Sequence, residues 1–220
     1  MKDIIVIPAY NEKQRIRDVL SKSVAFADKI IVVDDGSTDK TENYAGGISE
    51  KIIIVRHKVN LGKGAAMKTG CQAALRLGAD RIILMDADGQ HQPEDIPRFF
   101  QKMEEGNLDV VFGSRAIGKN MPFAMTIGNK FLSAASSILF GVYISDTQSG
   151  FRVFRARVYP KLAWNSVRYS VETEMIANIG KYHLKFGEIK IKTIYHDRYK
   201  GTTVFDGLRI FINMLIWKII

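Results

Sequence analysis

The chain has 220 residues, 46% of them hydrophobic and 25% charged, with a formal net charge of +9. That balance fits one large globular α/β domain with a sizeable core and excludes a low-complexity or disordered chain. Its single cysteine, Cys71, excludes an intrachain disulfide framework and suits a reducing compartment. No run of about 18 or more apolar residues marks a membrane-spanning helix.

In chain order, the continuous apolar run Ile4-Ile5-Val6-Ile7, ending at Pro8, predicts a buried strand. Lys13 to Ala27 predicts a helix with Ile16, Val19, Leu20 and Val24 on one face. Lys29 to Val33 is a second strand, ending at Asp34-Asp35-Gly36, after which Ser37-Thr38-Asp39 can cap a short helix. Ile52 to Val55 is a third strand. Gly62-Lys63-Gly64 leads into a helix from Ala65 to Leu77, closed by Gly78. Arg81 to Met85 is a fourth strand, Pro93-Glu94-Asp95 starts a further helix, and Asp109 to Phe112 is a fifth strand. Continuous apolar strands separated by helices predict an α/β fold whose sheet is parallel and covered on both faces.

The second half is less regular. Asn129 to Gly141 is amphipathic, with Asn129, Ser133 and Ser136 in one polar line and Phe131, Leu132, Ala135, Ile138 and Leu139 elsewhere. Leu208 to Ile220 is almost wholly apolar, broken only by Arg209, Asn213 and Lys218, and is too short to span a bilayer. It suits a membrane interface, a subunit contact, a core helix or the start of a longer span. Charge is uneven: residues 1–148 carry 19 Lys and Arg against 18 Asp and Glu, residues 149–220 carry 13 against 5. A basic C-terminal third suits a phosphate-bearing partner or a well-solvated lysine-rich surface. No nucleic-acid-binding motif accompanies it, so nucleic acid is not an expected partner.

The chemistry concentrates at strand ends. Asp86 and Asp88, two residues apart on an extended chain, point to one side. Two such carboxylates resist joint ionisation unless a cation sits between them, and the fitting guest is a hard oxygen-seeking ion, Mg²⁺ or Mn²⁺. In a parallel sheet the ends of three strands, Pro8-Ala9-Tyr10-Asn11-Glu12, Asp34-Asp35-Gly36-Ser37 and Asp86-Ala87-Asp88-Gly89, lie along one edge and line one crevice. Glu12 and Asp35 can accept hydrogen bonds from a base or ribose, and Tyr10 offers a face to a base. Asn60-Leu61-Gly62-Lys63-Gly64 is similar to a phosphate loop without the full Walker spacing, or else a glycine turn with a surface lysine. Gln90 and His91 follow closely enough to add a ligand. Glu172 and Glu174 are either helix N-terminal acids or a catalytic base.

The ordered set formed by Pro8–Glu12, Val33–Asp39, Asn60–Gly64, Asp86–Gln90, Gly113-Ser114-Arg115 and Asp146-Thr147-Gln148-Ser149-Gly150-Phe151-Arg152 resembles the family 2 glycosyltransferases of GT-A fold. Within them it is most similar to the polyprenyl-phosphate sugar transferases, over about residues 1–200. The resemblance implies a Rossmann-like, mostly parallel sheet in a single domain over residues 1–220: a nucleotide-sugar half (1–115), an acceptor half (116–205) and an apolar C-terminal helix (206–220). It implies inverting, metal-dependent transfer of a hexose from a nucleoside-diphosphate sugar, GDP-mannose or UDP-glucose, to a polyprenyl phosphate. Pro8, Tyr10, Glu12, Asp35, Lys63, Asp86 and Ala87 would hold the nucleotide sugar, and Asp86, Asp88 and Gln90 the Mg²⁺ or Mn²⁺. Asp88, Arg115 and Arg198 would act on the reacting groups, with Arg198 and Lys200 clamping phosphates from a loop. Lys130, Ser133, Gln148, Ser149, Gly150 and Arg152 would line the acceptor side, with Lys130 standing where relatives often carry an arginine. No secretory signal is visible, because Lys2-Asp3 leads straight into a strand-like run. The expected location is therefore the cytoplasmic face of a membrane, held peripherally. Two other readings remain at this point: transfer to a hydroxyl acceptor with Glu172 or Glu174 as base, and a nucleotide-binding module without catalysis.

Overall fold

The structure is a computed structural model that describes residues 1–115, 123–167, 170–192 and 204–219, without the side chains of residues 123–126 and 204–206. Its centre is a seven-stranded sheet in the order β3-β2-β1-β4-β6-β5-β7. The strands are β1 (Asp3–Ala9), β2 (Lys29–Asp34), β3 (Ile52–Arg56), β4 (Arg81–Leu84), β5 (Val110–Arg115), β6 (Arg152–Arg155) and β7 (Phe186–Ile191). β1 to β4 are mutually parallel, as is the pair β5–β7, whereas β6 runs antiparallel to both its neighbours.

The apolar strands are continuous because both sheet faces are buried. Ile4, Val6, Ile31, Val33, Ile82 and Leu84 face one core layer with Met67, Cys71 and Ala74 of α3 (Lys63–Arg76). Ile5, Ile7, Ile30, Val32 and Ile83 face the other, against α1 (Ile16–Ser23) and α4 (Ile96–Glu105). Pro8 does not end β1, which continues to Ala9. β4 pairs with β1 only as far as Val6, so the missing N–H of Pro8 costs no ladder bond.

The second half of the chain holds what the apolar pattern did not foresee. β6 is short, begins and ends in arginine, and is antiparallel, so its first residue, Arg152, pairs with Leu84 of β4 and Phe112 of β5. The turn before it, residues 146–151, is thereby delivered to the edge where β4 and β5 end. β7 alternates charged and apolar residues at the sheet's edge, and gives no continuous apolar run to read.

Helices α5 (Phe123–Phe140), α7 (Val171–Lys181) and α8 (Val204–Ile219) cover this side, and two short helices complete the set, α2 (Thr41–Ala45) before β3 and α6 (Tyr159–Leu162) between β6 and α7. The amphipathic segment is oriented opposite to simple expectation. Its polar line, Asn129, Ser133 and Ser136, is buried, while Phe131 is 52% and Ile138 83% exposed. Asn129 is the reason: its Oδ1 accepts from the Thr147 N–H and hydroxyl at 3.1 Å, and its Nδ2 donates to Ser145 O at 3.1 Å. Leu132 and Ala135 pack on Ile210 and Met214 of α8, and the Phe131 and Phe211 rings meet at 5.0 Å. Among the described residues no helix is long and apolar enough to cross a membrane.

Replacing Asn129 leaves buried backbone groups of Ser145 and Thr147 without partners. Asn129→Ala is expected to cost about 2 kcal/mol or more, read as a lower denaturation midpoint at unchanged slope. A change below about 0.5 kcal/mol would show that α5 is not anchored through this side chain.

Candidate functional site

The ends of β1 and β2 are stitched together before they reach any ligand. Asn11 sits at φ 55°, its N–H donates to Ser37 Oγ, and its Oδ1 accepts from Thr38 N at 2.9 Å. The Glu12 N–H donates to Thr41 Oγ1, and the Glu12 carboxylate lies 3.5 Å from Arg15. Pro8 is half-buried beneath this turn, and Tyr10 is left at the rim, 46% exposed.

Both oxygens of Asp35, the expected acceptor for a base or ribose, are engaged within the protein. Its Oδ1 accepts from the Leu61 N–H and pairs with His57 Nδ1 at 2.7 Å, and its Oδ2 accepts from the Gly62 N–H at 2.8 Å. A buried carboxylate with both oxygens engaged in this way holds the 60–64 loop in place. Gly36 makes the turn possible: it adopts φ +72°, and a side chain there would overlap Val59.

The same contacts settle how the 60–64 loop is used. The Leu61 and Gly62 amides point to Asp35, and the Gly64 N–H donates to Val167 O at 2.9 Å. These amides therefore do not form an open phosphate cradle. The loop instead presents one side chain, Lys63, whose Nζ lies 2.8 Å from Asp86 Oδ1 and 3.0 Å from Glu172 Oε1. Burial opposes the ammonium charge, but the two carboxylates outweigh it and raise the Lys63 pKa.

Burial likewise pushes the Asp86 carboxyl up. Lys63 first, then His91 and Arg152, outweigh it and hold Asp86 down at about 2. Asp86 is thus ionised throughout the neutral range. Ala87 is buried, and Asp88 turns back to accept the Gln90 N–H at 3.0 Å, which fixes the loop carrying Gln90. His91 is buried against Phe151, with ring centroids 5.1 Å apart, and its Nδ1 accepts from the Asp86 N–H. Burial lowers its pKa against the pull of Asp86 and Asp88, and its Nδ1 is already occupied by the Asp86 N–H.

The antiparallel turn closes the other side. Gly150 lies directly against Asp86, and a Cβ there would overlap the carboxylate. Arg115 forms a forked pair with Asp146, Nε to Oδ2 at 2.6 Å and Nη2 to Oδ1 at 2.9 Å. Gln148 donates to the Thr147 and Thr173 hydroxyls at 3.2 Å, tying the turn to α7. Ser149 O accepts from Arg152 Nη2, and the fully buried Arg152 also lies over the Phe112 ring. Burial lowers the Arg152 pKa against the pull of Glu172, Asp86 and Asp146. Its place is behind the site, where it steadies the turn and adds positive potential.

The structure thus brings Lys63, Asp86, Gly150 and Glu172 together, with Arg115, Gln148 and Ser149 beside them. It does not bring Ser133 to a surface, since Ser133 is buried under α5, and it leaves Lys130 exposed on the outer face of that helix. Arg198 and Lys200 lie outside the described residues. Sequence reasoning missed the bridge from Lys63 to Glu172. The available signal was an acid pair beside the apolar residues Val171, Met175, Ile176 and Ile179 of one helix, because a buried acid needs a partner. Glu174 finds its own in the Asn165 and Ser166 amides, both at 2.8 Å.

The donor set fits a hard divalent cation. Asp86 and Asp88 would supply carboxylate oxygens, and among the described residues no cluster of three or more His, Cys, Asp or Glu completes a protein-only cage. A cation held by one or two carboxylates and finished by phosphate oxygens is the arrangement Mg²⁺ favours.

Comparison with known proteins agrees with this geometry. The model of glycosyl transferase family 2 matches residues 4–163. The chain is 36% identical to a UDP-N-acetylglucosamine–dolichyl-phosphate N-acetylglucosaminyltransferase of Methanococcus voltae, over 97% of this chain and 95% of that one. It is 30% identical to a dolichol-phosphate mannosyltransferase of Pyrococcus furiosus, over 99% of this chain and 65% of that one. In fold it is similar to glucosyl-3-phosphoglycerate synthase of Mycobacterium tuberculosis crystallised with Mg²⁺ and UDP. There the TM-score is 0.77 at 19% identity, covering 99% of this chain and 79% of that one. The chain belongs to glycosyl transferase family 2, it is a glycosyltransferase, and its sheet is that of the GT-A fold.

Gly150→Ala tests the packing of the turn on Asp86. The added methyl is expected to displace the carboxylate and lower transfer about tenfold or more, with the melting temperature little changed. Wild-type turnover in this variant would show that the turn and Asp86 do not have to touch.

Proposed function

We propose that this family 2 glycosyltransferase moves a hexose from a nucleoside-diphosphate sugar to a polyprenyl phosphate at a membrane surface. The observation that carries the acceptor assignment is the state of the two acids on α7. Glu174 has both oxygens on backbone amides, and Glu172 is paired with Lys63. A hydroxyl acceptor needs a base to take its proton, and neither acid is disposed to serve. A phosphate oxygen is already anionic and needs only to be positioned.

In this reading Tyr10 gives its exposed face to the base, and Glu12 accepts from the nucleoside. Asp35 acts one step back, through the loop that carries Lys63. Asp86, Asp88 and Gln90 hold the Mg²⁺ or Mn²⁺, which when bound supplies positive charge to the leaving diphosphate. The acceptor oxygen forms its bond to the anomeric carbon as the bond from that carbon to the diphosphate oxygen breaks, and the configuration inverts. Lys63 and Arg115 oppose the charge that grows on the leaving group, and Arg152 reinforces them from behind. Arg198 and Lys200 are assigned to the phosphates by resemblance alone. GDP-mannose and UDP-glucose are the donors to test first, together with UDP-N-acetylglucosamine, the donor named for the relative from Methanococcus voltae.

The apolar surface favours a lipid acceptor. Ile127, Phe131 and Ile138 of α5 and Leu208, Ile212 and Ile216 of α8 are all at least 46% exposed. The exposed cations Lys130, Arg209 and Lys218 lie on the same two helices. Apolar side chains interspersed with cations suit the interface of an anionic bilayer. This supports peripheral attachment, which we place at the cytoplasmic face.

Incubation with labelled nucleotide sugars, Mn²⁺ and a polyprenyl phosphate is expected to give a lipid-linked hexose, and Asp88→Ala to lower its yield by about a hundredfold. Transfer to a soluble sugar in place of the lipid phosphate would reject the acceptor assignment. In flotation with anionic liposomes the protein should rise with the lipid, and the paired change Ile212→Asp with Ile216→Asp should leave it at the bottom. Equal flotation of both forms would remove α8 from the membrane contact.

A further inference from the structure

We propose that Lys63 is a resident cation that makes metal binding and donor binding depend on each other, and that Glu172 tunes this coupling by sharing the Lys63 ammonium. The proposal rests on the reading of the Asp86–Asp88 crevice as the metal and diphosphate site.

The geometry is specific. Lys63 Nζ stands 2.8 Å from Asp86 Oδ1 and 3.0 Å from Glu172 Oε1. It therefore occupies one of the carboxylate oxygens that a divalent cation needs. The Lys63 side chain is 25% exposed and that of Asp86 23%, so the bridge opens to the crevice, whereas Glu172 is 3% exposed. Glu172 Oε2 is buried without a hydrogen-bond partner, although the Arg152 guanidinium lies nearby and contributes to the field there. The backbone at Lys63 is fixed, because the neighbouring Gly64 N–H is bonded to Val167 O and Gly64 O accepts from Trp164 Nε1. Movement is left to the lysine's four-carbon stem.

The consequences follow from charge. A divalent cation binding at Asp86 in the absence of nucleotide must share that carboxylate with an ammonium of the same sign, and its affinity is reduced. A nucleoside diphosphate offers Lys63 another anionic partner. Lys63 then swings from Asp86 toward the diphosphate, and Asp86 recovers its free oxygen. Because binding free energies are reciprocal, nucleotide tightens metal by the same factor that metal tightens nucleotide. Glu172 moderates the effect: it divides the ammonium between two carboxylates and weakens its grip on Asp86. It is a positioning residue, acting through Lys63, rather than a base.

The test is a Mn²⁺ titration, read from the paramagnetic signal of the free ion, with and without UDP or GDP. Wild type, Lys63→Met and Glu172→Gln are compared, each checked for folding by its thermal transition. Wild type is expected to bind Mn²⁺ alone weakly and about tenfold or more tightly with the diphosphate. Lys63→Met is expected to bind Mn²⁺ alone several-fold more tightly than wild type, on the order of the same coupling, with the nucleotide-dependent gain largely gone. Glu172→Gln is expected to bind Mn²⁺ alone more weakly and to show a larger gain. Because a purely structural ion pair would lower stability without tightening the metal, the rise in Lys63→Met is diagnostic. If that variant does not fold, the direction of the Glu172→Gln change decides. Equal Mn²⁺ affinity in wild type and variants, with the nucleotide gain retained, would overturn this proposal and leave the crevice reading intact. No Mn²⁺ binding by wild type with either diphosphate would overturn both.

Discussion

Two carboxylates that are far apart in the chain, Asp86 at the end of β4 and Glu172 in the first turn of α7, share one ammonium, that of Lys63 at the start of α3. Each acid is largely withdrawn from water and each depends on that partner. Removing the lysine would leave anionic groups facing each other in a medium that screens them poorly. The bridge therefore fixes where α3 begins and where α7 begins, and with α7 the turn that Gln148 ties to Thr173. Asp86 can be an ionised, receptive carboxylate at the sheet edge because this cation is built in.

A second constraint is the direction of β6. In an all-parallel sheet the 146–151 turn would lie at the opposite edge from Asp86. Running antiparallel between β4 and β5, β6 starts where they end, and Gly150 comes to rest on the Asp86 carboxylate. The buried Arg152 then completes the corner by holding Ser149 O and facing Phe112. An arginine at 0% exposure is costly to desolvate. Here Glu172, Asp86 and Asp146 offset its charge.

The two halves of the chain are held in different ways. The first half is a largely parallel sheet whose strand-end turns are fastened to each other by Asn11, Ser37 and Asp35. The second half is held to it by Arg115 on Asp146 and by Trp164 Nε1 on Gly64 O, and is braced within itself by Asn129 on the Ser145–Thr147 backbone and Glu188 on Ser145 N–H and hydroxyl at 2.9 Å. With Asn129 facing inward to make its bonds, α5 turns Phe131 and Ile138 outward beside α8. The apolar face follows from the need to satisfy buried polar groups.

The sequence by itself determined the first five strands, the α1, α3 and α4 helices between them, and the placement of Glu12, Asp35 and Asp86 just beyond the ends of parallel strands. Long apolar runs buried on both faces and capped by Gly and Asp are local signals, so they can be read without a partner in view. It also carried the motif order that matched the family. The tertiary structure alone decided what those residues touch. Asp35 turned to the 60–64 loop and His57, the amides of that loop turned inward, and Lys63 reached Glu172, which lies 109 positions further along the chain (172 − 63). β6 and β7 were hidden because short, charged strands take their identity from their neighbours, a property of the sheet as a whole rather than of their own residues. An ion pair between distant segments leaves no periodicity in either one. It exists only once the sheet has brought both to the same edge.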